Sequence, residues 1–100
     1  MQRSAREALR IIRRCLASQR VRVLPHFTQR MHQRGMVWAD MLSIFEAPHD
    51  VRSDGMDDWA RSRWLITGRG ADGLAVPVVC VIGQDDDGKL TVFVTLFRET

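Results

Sequence analysis

The chain contains no tyrosine and one lysine, Lys89, in 100 residues. Proton transfer near neutral pH is therefore left to three histidines, His26, His32 and His49. Cysteine is scarce too: Cys15 and Cys80 stand far apart with no C-x-x-C pattern, and read as buried, reduced thiols. Two isolated cysteines and three unclustered histidines do not supply a zinc ligand set. The longest apolar run, about Leu74 to Ile82, is far short of the roughly 20 residues a membrane helix needs. Ile11 and Ile12 are broken at once by Arg13 and Arg14, so no signal peptide is read, and a cytoplasmic location is expected. A phosphate-binding glycine loop and a nucleophile elbow are both missing. The strands show no converging carboxylates for two-metal chemistry. Asp85, Asp86 and Asp87 read as a solvated turn.

What the chain does have is an ordinary globular composition, 45% hydrophobic and 27% charged, at the length of a single domain, residues 1–100. Its charge is unevenly laid out. Residues 1–35 hold nine arginines and one acid, a net +8, while residues 36–100 hold six basic residues and eleven acids, a net −5. Such a chain either pairs its two halves or presents a basic face to an anion.

Ser4 and Glu7 form a capping-box pattern, and Ala5, Ala8, Leu9, Ile12, Cys15 and Leu16 recur at helical spacing, which predicts a basic amphipathic helix over 4–18. Val21 to Leu24 is a possible short strand. A second helix is expected over 26–33, with Gly35 closing it, and a third over 36–47, stopped by Pro48. Strand patterns follow over 63–69, 74–82 and 90–97, with Val51 to Asp54 as a possible outer strand and a turn at Asp85 to Gly88. Pro77 lacks a donor and is expected to mark an edge or a bulge. Both parities of 90–97 are apolar or threonine, which predicts a central strand covered on both faces. The order implies an α+β fold, with N-terminal helices packed on a three- to four-stranded antiparallel sheet.

His26, Arg30 and Arg34 are spaced i, i+4, i+8 and so share one helical stripe, beside an apolar stripe of Phe27 and Met31. Imidazole with two guanidiniums suits a phosphodiester: arginine grips phosphate oxygens in pairs, and histidine exchanges protons near neutrality. A solvated basic face, with His26 capping or packing, fits the same spacing. Arg98 follows the last strand and would complete an anionic pocket if the strand ends converge on this helix; in water it would do nothing. Arg22, Arg69 and Trp38 are the remaining candidate RNA contacts, Trp38 by stacking. Trp59 shares that option from a polar loop, whereas Trp64 alternates into a strand and reads as core.

The segment His26-Phe27-Thr28-Gln29-Arg30-Met31-His32-Gln33-Arg34-Gly35-Met36 resembles the H-x-x-x-R-M-x-x-R-G-[IM] opening of the domain-of-unknown-function family 4258. Ala47-Pro48, Arg63 to Gly68 and Val94 to Arg98 fit its later pattern, so the likeness covers about residues 22–98, the core within 21–100, with residues 1–20 as an added basic helix. The family looks like compact relatives of the RelE and BrnT bacterial toxins. The resemblance implies a RelE-like fold and the toxin half of a type II toxin–antitoxin pair. Such a toxin is a cytoplasmic, metal- and cofactor-independent RNA endonuclease, silenced by an antitoxin such as a zinc-finger protein of the MqsA type. Its catalytic positions would be His26, Arg30, Arg34 and Arg98. RelE-like nucleases commonly use Lys and Tyr with Arg, so catalysis in this chain would rest on His and Arg. A non-catalytic nucleic-acid-binding or protein-interaction module is the alternative.

Overall fold

The computed structural model describes residues 4–98. Arg3, one of the nine N-terminal arginines, lies outside the described residues. In chain order the elements are α1 (Ala5–Ala17), β1 (Val21–Val23), α2 (Pro25–Gln33), α3 (Trp38–Glu46), β2 (Asp50–Met56), β3 (Ser62–Arg69), β4 (Ala75–Gln84) and β5 (Leu90–Phe97). The three helices pack on one face of a five-stranded sheet of order β1-β5-β4-β3-β2, in which only β1 and β5 run parallel.

Local chemistry sets the helix ends. Ser4 Oγ accepts the Glu7 N–H at 3.1 Å and caps α1. Pro25 occupies the first position of α2, where its missing donor costs nothing. Gly35, at φ +69°, closes α2 with bonds from its own N–H to His32 O and from Met36 N–H to Met31 O. At the start of α3, Asp40 Oδ2 accepts the Val37 N–H at 2.8 Å. Its far end is capped from another helix, because Arg13 of α1 donates to the carbonyls of Phe45 and Glu46.

The sheet differs from expectation in three places. It has five strands and a parallel pair instead of three or four antiparallel strands. The short run Val21–Val23 lies along β5 in the same direction, tied by Leu24 N–H to Val94 O and Val92 N–H to Arg20 O. Parallel neighbours need a long crossover, and most of the chain lies between these two. Pro77 is not on an edge strand: β4 is the middle strand. A residue's N–H and C=O point the same way, and Pro77 O accepts Arg98 N–H, so the absent donor faces the place where β5 runs out beyond the Val78–Phe97 pair.

The third difference is in β5, which is central, as expected. Its pairing with β4 slips between Val79 and Cys80, which leaves Thr95 as an extra residue opposite β4. The Thr95 hydroxyl donates to Val79 O at 3.0 Å. Alternation reverses there. Val92, Val94 and Phe97 are buried among the helices, whereas Phe93 and Leu96 lie on the second face beside Val81 and Val79. The two apolar parities of this strand thus arise partly from a bulge and not from helices on both sides.

The main core holds Ala8, Ile12, Phe27, Met41, Ile44, Phe45, Trp64, Ile66 and the inward valines of β4 and β5. Cys15 and Cys80 are free and buried, as expected. Burial pushes both thiols up in pKa; at Cys15, Arg20 and Arg14 act in the opposite sense. No described helix is long and apolar enough to cross a membrane.

Candidate nucleic-acid interface

The α2 stripe exists and is anchored from below. Phe27 and Met31 are buried, and the Phe27 ring stacks on Phe97 of β5 with centroids 4.4 Å apart and planes 18° from parallel. His26 is exposed on the first turn. Arg30, half-buried, donates from Nη1 to Gln33 Oε1 at 3.2 Å. Arg34 is the residue that ends the helix, and its guanidinium lies over the Phe97 ring, 4.4 Å from the centroid. One aromatic side chain therefore fixes both the helix and the last cation of the stripe.

Arg98 does not join them. Because of the Thr95 bulge, Phe97 faces α2 and Arg98 faces the opposite side, where it pairs with Asp54 of β2. Without the extra residue, simple alternation from Val92 and Val94 would have put Arg98 on the α2 side. The expected convergence of strand end and helix is thus corrected by a single register slip. Arg69 is held in its own turn, donating to Gly73 O at 2.8 Å. Trp38 is half-buried against the core, which makes it a packing residue and not an open stacking platform. Arg22 is exposed on β1 and, paired in register with Phe93, belongs to the second face.

Besides Arg22, that second face holds residues the sequence reading passed over. Arg22, Phe93, Val81 and Arg63 form one row across four strands. Among the described residues no helix covers this side, yet Val79 and Val81 are buried to within 2%. The Arg61 guanidinium lies over two rings, 4.8 Å from the centroid of Phe93 and 5.2 Å from that of Trp59, which is 75% exposed. Gly83 makes the room: a Cβ there would stand 2.9 Å from Arg61 Cδ and 3.0 Å from Phe93 Cε2. Arg61 pairs with Asp57 at 2.7 Å, and Asp54 takes both Arg63, at 3.1 Å, and Arg98. Partial burial pushes the Asp57 carboxyl up, but bonds from the Arg61 N–H, its guanidinium and the Trp59 N–H hold it below the usual carboxylate range. The signal was legible in part: Arg63 is out of phase with buried Trp64 and so lies on the outer face of β3, and Arg61, just before the strand, is two residues from Arg63.

Among the described residues, no three His, Cys, Asp or Glu side chains stand together as a metal site. Compared with protein-family models, with curated proteins and with solved structures, the chain matches none.

Proposed function

We propose that the chain is the toxin of a type II toxin–antitoxin pair, a RelE-like protein that binds RNA and cleaves it without a metal ion. The observation that carries this reading is the α2 stripe, in which an exposed imidazole and two guanidiniums sit on a helix clamped to the sheet by Phe27 and Phe97. The family resemblance of residues 26–36 and the packing of three helices on a mostly antiparallel sheet support it. In the proposed reaction the 2′-hydroxyl attacks the adjacent phosphorus, and the P–O5′ bond breaks to leave a cyclic phosphate and a 5′-hydroxyl. His26 takes the proton from the 2′-oxygen or gives one to the 5′-oxygen, and solvent water makes the other transfer. Arg30 and Arg34 hold the phosphate oxygens as charge builds on them. Arg98 is withdrawn from the catalytic set, since it lies on the other face of the sheet. The antitoxin, of zinc-finger MqsA type by resemblance, would cover the basic half of the chain.

A second reading, a non-catalytic RNA-binding module, is favoured by one observation. The stripe holds a single imidazole, whereas phosphodiester transfer uses both a base and an acid. Growth after induced expression separates the two, with total RNA followed over time for the wild type and for His26→Ala/Arg30→Ala. The toxin reading expects arrest and RNA fragments from the wild type alone. Arrest by both proteins sinks the site; normal growth with intact RNA and soluble protein favours the binding module.

A further inference from the structure

A cavity of about 430 Å³ opens between the flank of α1 and the start of β5, away from α2. Its wall carries Arg10, Arg14 and Arg20, with Glu7 on the rim and Ile11 and Leu90 as an apolar side. Arg10 and Arg14 are one turn apart on α1 and so point the same way. Arg20 is brought to them by the end of the helix. Gln19 takes the left-handed conformation, φ +59°, and lets Arg20 N–H return to Cys15 O at 2.7 Å. Arg20 O in turn accepts Val92 N–H at 3.0 Å, so this backbone is fixed to helix and sheet together. Gln19 thus holds a conformation that favours glycine, and its result is a third guanidinium beside the other two.

These cations, like Arg6 and Arg22, differ from the arginines that are tied down within the protein. Arg13, Arg52, Arg61, Arg63, Arg69 and Arg98 each donate to a carbonyl or a carboxylate of the protein. Among the described residues, Arg10, Arg14 and Arg20 have no such acceptor. Three like charges around a concavity repel one another, and Glu7 offsets only one. Guanidinium forks match phosphate oxygens, and the volume lies in the range of small-molecule sites, roughly 300–1,000 Å³.

We propose that this pocket is a second anion site, one that takes the diphosphate group of a small phosphorylated ligand of the nucleoside diphosphate class, its organic part against Ile11 and Leu90. The proposal does not rest on RNA cleavage by α2 and survives or fails separately from it. The test is calorimetric titration of the full chain with inorganic pyrophosphate, with ADP and, in a separate arm, with a short RNA oligomer. Arg10→Gln/Arg20→Gln and, as a second variant, Arg14→Gln are compared with Arg22→Gln, which lies outside the pocket. Thermal melts of all four proteins verify folding. Pyrophosphate and ADP binding that weakens about tenfold for each guanidinium removed, and is unchanged in Arg22→Gln, is the expected result. Absence of binding to pyrophosphate and ADP, or binding equal in wild type and pocket variants, overturns it. Binding of the RNA oligomer alone, lost in the same variants, also overturns it and makes the pocket part of an RNA surface.

Discussion

Each face of the sheet contains a glycine that makes room for a side chain from elsewhere. On the helix face, Gly68 admits Ile44 of α3, whose Cγ2 would stand 2.8 Å from an added Cβ and whose Cα would stand at 3.2 Å. On the second face, Gly83 admits the stem of Arg61. The first face is closed by hydrophobic helices. The second is closed by arginine stems and rings, whose charged heads are tethered by Asp54 and Asp57. Both bury valines, but only the second makes its dryness depend on charge.

That contrast can be broken most forcefully at Gly68. Gly68→Ala forces helix backbone away from the sheet and is expected to lower stability by about 2–3 kcal/mol, measured by urea unfolding. Gly83→Ala displaces only a flexible stem and a ring edge, and should cost about 1 kcal/mol; a loss equal to that of Gly68→Ala would show that the second face is as rigid as the first. Acid sharpens the same difference. The folded-state pKa of Asp57 is lowered, so its contribution is present above the unfolded carboxyl value of about 3.9 and disappears as pH falls through the lower folded value. Below about pH 4 the wild type should therefore lose stability more steeply than Asp57→Asn, in melts followed across pH. The smallest effect belongs to the cations with no protein acceptor: Arg10→Gln is expected to leave stability within about 0.5 kcal/mol, which urea unfolding resolves from the glycine variants.

Much of this architecture was open to sequence reasoning wherever local chemistry decides. The Ser4 cap, the Gly35 helix end and the apolar Phe27/Met31 side of α2 follow from neighbours within a few residues, and each is present; the expected order of all helices before all strands is broken by β1, which falls between α1 and α2. What was not legible depends on distant partners. Three residues at Val21–Val23 carry too little pattern to reveal that they join β5 in parallel. Pro77 satisfies a rule about missing donors, but which strand end it faces depends on where β5 stops. The spacing of His26, Arg30 and Arg34 follows from helix geometry, and α2 with its C-cap residue spans all three. Arg98 was expected to join them if the strand ends converged on α2, and the extra residue at Thr95 turns the strand end to the other face.

The extra residue in β5 also divides that strand into two lengths with different tolerance to change. Removing or adding a residue before Thr95 would turn Val92 and Val94 out of the core together with everything that follows. Deleting Thr95 itself would leave the first length in place and exchange only the tail: Phe97 would leave its stack on Phe27, and Arg98 would turn from Asp54 toward the His26 stripe. One codon at this position thus separates two chains with the same helices and nearly the same sheet, but with a cation delivered to opposite sides of the molecule.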